Sequence, residues 1–322
     1  MNRINWIDYS KACLIYFVVL IHYGHINDNV LNLICAINMP AFFFISGYLH
    51  KTSEWKSSIK KNFQRLIIPA IGFSLLYMAV NTITYYIENQ TLSLQDNLIK
   101  PLIGIIRYDR PNATPPCGVI WFLEVLFLCN VVVDIVKKNT AFITTLTLLC
   151  VAATFFLTTQ EIVNKSYGFI PQRFLACFPF VVAGILFRQY NLLEKFFKNY
   201  VLGIIAIAAF IVSSIWNGRV GIMTWQFGNS NNVLLFFTIA IIGSISFFWL
   251  IEKIKYDTPS VILKFSTGTI TILCLHKMMI PVLSHTLHMN PYIGSLLIMV
   301  ICLPLILFFD KYTPWLVGRK RA

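Results

Sequence analysis

Charged side chains are scarce in this chain. Of its 322 residues, 12% are Asp, Glu, Lys or Arg, whereas 57% are hydrophobic. A soluble domain carries roughly twice that share of charge, about 25%. The composition therefore excludes an ordinary soluble protein and indicates an integral membrane protein in contact with the lipid bilayer.

Sequence motifs of several familiar enzyme classes are also missing. There is no Ser-centred nucleophile elbow, no Walker loop and no Rossmann fingerprint. The 8 cysteines are scattered without the spacing of a zinc site or a redox pair, so we interpret them as small apolar packing residues. The first apolar run has no small-residue cleavage site, and we expect it to remain as a membrane helix rather than to be removed as a signal peptide.

Acidic residues are rarer than basic ones, with 13 Asp and Glu against 26 Lys and Arg. The net charge of +13 would suit nucleic-acid binding, but its distribution along the chain argues against that. We assign ten apolar segments as membrane spans: 12–28, 30–49, 66–87, 119–136, 141–159, 174–190, 200–217, 233–251, 261–283 and 292–310.

The loops between these segments differ in charge. Those on the side of both termini hold 19 Lys and Arg, the opposite loops hold 6, and Lys277 lies within a span. Such an excess marks the cytoplasmic side of a membrane protein. The sequence therefore predicts an all-α, polytopic membrane bundle of about ten transmembrane helices with both termini cytoplasmic. Because the charge orients the chain, we expect no nucleic-acid partner.

Two connecting segments stand out. Residues 88–118 form an outer loop of about 30 residues, a length that is usually functional or mobile. This loop is interpreted either as an ordered cap over a cavity or as a plain connector. The basic cytoplasmic segment 51–65 ends in Arg65, shortly before Pro69. It is interpreted either as an ordinary topology signal or as a phosphate-binding mouth, since guanidinium groups suit phosphate.

The first span carries an ionisable residue deep in the membrane. His22 follows Asp8 by fourteen residues, which places it roughly 21 Å along a helix and inside a bilayer core of about 30 Å. Asp8, Lys11 and His22 fall on one narrow stripe of the helix. An ionisable group at that depth is a candidate functional residue.

Three further polar residues are predicted to reach a similar depth. His276 lies roughly 22 Å into the ninth span, Glu124 lies roughly 8 Å below the outer edge of the fourth, and Arg173 begins the sixth. One intramembrane histidine could equally be a satisfied core residue, but four groups at one level favour a polar cavity. A histidine there can act as a general base, a metal ligand or a proton relay. We expect no metal, because His22 and His25 have no further ligand at suitable spacing.

Several short motifs occur together in a characteristic order. These motifs are Asp8-x-x-Lys11, Val19-x-x-His22, Phe43-Phe44-Ile45-Ser46-Gly47-Tyr48, the basic run from Lys61 to Arg65 before Pro69, Trp121-Phe122-Leu123, Arg173 followed by Pro179-Phe180 and Gly184, and Leu275-His276. The sequence thereby resembles the acyltransferase-3 superfamily of membrane O-acyltransferases, especially its fucose-4-O-acetylase-like branch. It departs from the pattern at Lys11, where arginine is common, at the Lys60-Lys61 pair, and at Lys277 after His276.

The resemblance implies a single acyltransferase-3-like transmembrane domain over residues 1–322, in the cell (inner) membrane. It implies transfer of an acyl group, usually acetyl from cytoplasmic acetyl-CoA, to a sugar hydroxyl of a surface or lipid-linked glycan. The roles it assigns are catalytic for His22, Glu124 and His276, cofactor-binding for Lys11, Lys61 and Arg65, and substrate-binding for Trp121 and Arg173. Two other classes stay open: a polysaccharide exporter or flippase, and a proton-coupled transporter that uses His22 and Glu124.

Overall fold

The computed structural model describes residues 4–107, 116–136, 140–165, 168–254 and 257–319. Within these ranges the chain is almost entirely helical, as its long apolar segments predict. The helices are α1 Asn5–Tyr23, α2 Asp28–Tyr48, α3 Trp55–Asn62, α4 Ile68–Asn89, α5 Lys100–Arg107, α6 Trp121–Val136, α7 Thr140–Thr159, α8 Phe169–Gln189, α9 Leu192–Phe197, α10 Tyr200–Asn217, α11 Val233–Ile254, α12 Ser260–Thr267, α13 Thr269–Pro281 and α14 Pro291–Tyr312.

The predicted fold class is confirmed: the chain forms an all-α polytopic membrane bundle. Each of the ten predicted apolar segments falls on a helix or, for the ninth, on the pair α12–α13. Among the described residues, 7 helices are long and apolar enough to cross a membrane, or 8 if α12 and α13 count as one span. Neither α1 nor the 16-residue α6 is among them. The count of ten and the position of the termini stay predictions.

The predicted limits of the first span were wrong. The apolar window 12–28 placed the helix late, because it left out the polar residues of its first turns. Helix α1 already begins at Asn5 and contains Asp8, which is buried. It ends at Tyr23, where Gly24 adopts a φ of 78° that stops the helix.

The two segments interpreted as loops are partly helical. The basic segment 51–65 is helical from Trp55 onward, and it runs through a π-helical turn at Phe63–Ile67 into α4. The turn precedes Pro69, which has no N–H to donate to the carbonyl of Arg65. In the outer loop, residues 95–107 are helical. Residues 108–115, which complete the predicted cap, lie outside the described residues.

The ninth span is broken rather than straight. Helices α12 and α13 meet at Gly268 and differ in direction by 81°. Two contacts hold the break: Ser266 Oγ donates to Asp8 Oδ1 at 2.5 Å, and Arg319 Nη2 donates to the Thr267 carbonyl at 2.6 Å. Arg319 thereby satisfies a carbonyl at the end of α12 that has lost its helical partner. The depth of His276 that we calculated along a straight helix was wrong for this reason.

Helices α2 and α8 form the closest packed pair in the centre of the bundle. Gly47 of α2 lies against the backbone of Val181, and Gly184 of α8 lies against the backbone carbonyl of Phe44. A side chain at either glycine would overlap main-chain atoms, so only small residues permit this approach. The pair fixes the middle of the bundle, with α1, α6 and α11 packed around it.

A short β-hairpin closes the end of the bundle at which α1 ends. Its strands are β1 Val220–Gly221 and β2 Gln226–Phe227, which pair antiparallel. Sequence reasoning treated this stretch as a plain loop, because two-residue strands leave no alternation of polar and apolar residues to detect. Its turn residues were the available signal, with glycine or asparagine at several positions between Asn217 and Asn232.

Candidate active site

Two cavities enter the bundle from opposite ends. The lower cavity, about 550 Å³, lies at the end where α1 begins, and it is bordered by the ends of α2 and α6 and by the break at Gly268. The upper cavity, about 390 Å³, lies where α1 ends, between α2, the start of α6, α13 and the hairpin. Both volumes are in the range typical of small-molecule sites.

The upper cavity contains the predicted histidine. His22, on the last turn of α1, is exposed to this cavity. Trp121 at the start of α6 lines the same cavity and is otherwise buried. Asn38 of α2 also lines it, and the buried Oδ1 of Asn38 has no hydrogen-bond partner among the described residues. An imidazole, an indole face and an amide therefore share one space.

His22 and His276 form a direct pair. His276 is fully buried behind His22, and its Nε2 lies 3.2 Å from His22 Nδ1. Each Nδ1 also faces the carbonyl four residues earlier on its own helix, at 2.8 Å from Val18 O and 3.0 Å from Ile272 O. Helical side chains lean toward the N-terminus, which is why both rings reach these carbonyls.

These contacts determine the tautomers of the neutral pair. A carbonyl oxygen only accepts hydrogen bonds, so Nδ1 of each ring carries the hydrogen. His276 Nε2 is then an acceptor, and the single His22 Nδ1–H is shared between Val18 O at 2.8 Å and His276 Nε2 at 3.2 Å. The remaining nitrogen of His22, Nε2, has no hydrogen and is the basic atom of the pair. The arrangement suits a general base whose orientation is fixed by a second histidine.

The other two members of the predicted polar layer have different surroundings. Glu124 lines neither of these two cavities, and its buried Oε2 has no partner among the described residues. Arg173 is buried, and its guanidinium donates to the carbonyls of Asn164 at 2.9 Å and Met223 at 2.7 Å. Arg173 thereby ties α8 to the hairpin that closes the upper cavity. The catalytic role of Glu124 and the substrate-binding role of Arg173 stay predictions.

The lower cavity collects the predicted cofactor-binding cations. Lys11, Lys61 and Arg65 all line it, together with Lys51 and Arg319. Lys61 and Arg65 are exposed and make no hydrogen bond or ion pair with any residue that the structure describes. Arg319 instead pairs with Asp310. Lys61 and Arg65 are thus available to an anionic ligand.

One carboxylate in the lower cavity is already engaged. Asp134 accepts hydrogen bonds from the Ser53 backbone N–H at 2.9 Å and from the Ser53 hydroxyl at 3.0 Å, and its Oδ1 lies 3.1 Å from His50 Nε2. These bonds anchor the turn between α2 and α3 to α6. Sequence reasoning missed this group, because Asp134 is 81 residues from Ser53 and no local pattern connects them.

A single residue belongs to both cavities. Among the described residues, Phe122 of α6 is the one side chain that lines the lower and the upper cavity alike. Its ring packs edge-on against Phe42 and Phe43, with centroid distances of 5.8 and 5.1 Å. Phe122 therefore stands between the space that holds the cations and the space that holds His22.

Within the described ranges, no group of three or more His, Cys, Asp or Glu side chains is placed to hold a metal ion. All eight cysteines are free thiols.

Fold and cavities together define a polytopic membrane protein with polar groups meeting inside its helical bundle. Comparison with known proteins assigns the family. The acyltransferase-3 family model, described as "Acyltransferase domain", matches residues 4–309. The chain therefore belongs to the acyltransferase-3 superfamily, and it is a membrane acyltransferase. No curated protein and no solved structure matches it.

Proposed function

We propose that this protein transfers an acetyl group from acetyl-CoA to a hydroxyl of a cell-surface or lipid-linked glycan, forming an ester. One observation carries the proposal: a cationic cavity and a histidine cavity enter from opposite ends and meet at Phe122. A reaction between a soluble donor on one side and an acceptor on the other requires such an arrangement. A transporter that relays protons through His22 and Glu124 would need both side chains at one cavity, but Glu124 lines neither of the two.

The lower cavity is proposed to face the cytoplasm of a cell (inner) membrane. The positive-inside distribution of Lys and Arg supports this orientation. Reporter fusions at Trp55 and Lys195 should both give a cytoplasmic signal. External signals at both positions would reverse the proposed orientation and place the cationic cavity outside. An external signal at one position alone would show that the spans between the two sites are miscounted.

Lys61 and Arg65, with Lys11, are proposed to hold the phosphates of the donor. The Lys61 ammonium and the Arg65 guanidinium have no partner among the described residues, and such groups suit phosphate oxygens. Lys11 lines the same cavity. Asn62 and Asn130 lie further along the same cavity wall, 3.4 Å apart through Asn130 Nδ2 and Asn62 Oδ1. Asn62 Nδ2 already donates to Ser58 O and Ser58 Oγ, so the second N–H of Asn130 is the amide donor left for the pantetheine arm.

The chemistry is proposed to take place in the upper cavity. His22 Nε2 accepts the proton of the acceptor hydroxyl while its oxygen attacks the thioester carbonyl. The C–S bond then breaks, and the imidazolium returns the proton to the CoA sulfur. His276 stabilises the imidazolium through its contact with His22 Nδ1. In the alternative route His22 Nε2 attacks the carbonyl first, and the C–S bond breaks as the CoA thiolate leaves. The acceptor oxygen then takes the acetyl group from Nε2, and the hydroxyl proton is left to the thiolate.

Loss of Arg65 should weaken the donor site. In Arg65→Ala we expect acetyl-CoA binding to weaken by about 1.5–3 kcal/mol, because a charge-assisted hydrogen bond is lost. Binding of labelled acetyl-CoA to detergent-purified protein measures this. Lys56→Ala is the matched control, since Lys56 is a cation on the same helical segment that does not line the cavity. Unchanged affinity in Arg65→Ala would remove this residue from the donor site.

The function itself is tested by the surface glycans of cells with and without the gene. NMR should detect O-acetyl esters on the glycan that disappear with the gene and return with the wild-type protein. Purified protein in liposomes should move labelled acetyl from acetyl-CoA to the extracted glycan. A glycan that is identical in both strains, together with no transfer in liposomes, would refute the proposal.

A further inference from the structure

Arg219 is the one charged residue other than histidine among the described residues that line the upper cavity. It lies two residues after the end of α10 and directly before strand β1. The other described lining residues are apolar or neutral, apart from the imidazole of His22, and none of them is a carboxylate. Among these residues a single cation without an anion gives the space around His22 a positive potential.

The guanidinium of Arg219 has no partner in the part of the chain that the structure describes. It makes no hydrogen bond, ion pair or ring contact there. Arg173, on α8 at the same end, instead donates to two backbone carbonyls. Cys35 of α2 lines the same cavity. Arg219 and α2 therefore border one space.

The backbone that carries Arg219 is fixed on both sides. Before it, the Asn217 carbonyl accepts from the Asn229 backbone N–H at 2.6 Å. After it, Val220 pairs with Phe227 across the hairpin, and the hairpin turn is tied to α8 by the Arg173 bond to Met223. These bonds hold the backbone at Arg219 in place. A ligand that binds the guanidinium therefore does not have to order this loop first.

We propose that Arg219 forms an anion-binding subsite for the acceptor, and that the acceptor carries a carboxylate or phosphate close to the hydroxyl that becomes acetylated. This inference rests on the proposed function and narrows its substrate class. Guanidinium presents two parallel N–H donors that match either anion, and no described residue of the cavity wall supplies a carboxylate that would compete for them. An acidic sugar and a sugar joined to a phosphate carrier both supply this chemistry.

The test compares acceptors that differ only in their anionic group. Surface glycans and lipid-linked glycans from the host are separated by anion exchange into neutral and acidic fractions. Part of the acidic fraction is carboxyl-reduced, and another part is freed of phosphate by mild acid. Each preparation is offered to wild-type protein, Arg219→Gln and Arg219→Lys in liposomes with labelled acetyl-CoA. Lys165→Gln removes an exposed cation that does not line the cavity, and serves as the control.

We expect wild type to prefer the acidic fraction, and Arg219→Gln to raise its KM for that fraction by about 10- to 100-fold, the effect of losing a hydrogen bond to a charged group. Arg219→Lys should recover part of this loss, and the affinity for acetyl-CoA should stay unchanged in all variants. Whichever treatment abolishes the wild-type preference, carboxyl reduction or phosphate removal, identifies the anion.

Three results would overturn the inference: preference of wild type for the neutral fraction, an equal effect of Arg219→Gln on neutral and acidic acceptors, or no effect at all. An equal effect that varies with the anionic lipid of the liposomes would assign Arg219 to a bilayer headgroup instead. Transfer to neither fraction by wild type would contradict the proposed function itself, which separates the two failures.

Discussion

His22→Ala is expected to lower acetyl transfer by about 10²- to 10⁴-fold, the contribution of a well-placed general base. The variant should still insert and accumulate, because the substitution removes one polar side chain from a cavity wall and leaves no new buried polar group on its own helix. Transfer to the native glycan in liposomes measures the rate, and immunoblotting of membranes measures accumulation.

His25→Ala is the matched control, since His25 lies three residues further along, beyond the end of α1, is exposed, and does not line the upper cavity. We expect it to act like wild type. If His22→Ala accumulates normally and transfers at a near wild-type rate, the mechanism proposed above is wrong. If it fails to accumulate, the same two measurements are made on His22→Asn, which keeps a polar group at the site. Normal accumulation without transfer then indicates a chemical role, whereas normal transfer indicates a packing role.

The same assay separates the two routes of transfer. With no acceptor present, a route through an acetylated His22 should release up to one equivalent of CoA per protein and leave label on the protein. Direct transfer should release none under these conditions. The His276 contact supports either route, because it orients the ring and stabilises positive charge on it in both cases.

The histidine pair shows what sequence reasoning could reach. Depth along two helices predicted that His22 and His276 lie at one level, and the pair is in direct contact. The two rings are in contact although the ninth span bends at Gly268 and is not the straight helix that we assumed. Depth along a helix does not say which way a side chain points around the helix axis. The prediction therefore grouped Arg173 with the two histidines, although the Arg173 guanidinium donates to backbone carbonyls.

Features that depend on distant partners were out of reach. The break at Gly268 is held by Asp8, which is 258 residues from Ser266 along the chain. Nothing local to either residue predicts that bond. Arg219 was visible only as one of six basic residues in the outer loops, because its position in the cavity depends on a hairpin with strands of two residues. Local composition was sufficient to predict the helices. The cavities depend on how these helices pack against one another, which local composition does not contain.

Phe122→Trp is expected to slow acetyl transfer by about 10²-fold, the scale of misplacing a reacting group by roughly 1 Å, while leaving acetyl-CoA affinity unchanged. The proposed route takes the thioester from the lower cavity to His22, and Phe122 is the described side chain that borders both spaces. A larger ring between Phe42 and Phe43 should obstruct this passage. Transfer rate and donor affinity are measured on the same purified protein.

Leu126→Phe is the matched control, because it adds bulk one turn along the same face of α6 but lines the lower cavity alone. The converse change, Phe122→Leu, should widen the passage and raise the release of CoA without acceptor, since water can then reach the thioester. A Phe122→Trp protein that transfers at the wild-type rate would show that the acetyl group does not pass this residue. A loss of donor affinity equal to the loss of rate would place Phe122 in the donor site rather than between the two cavities.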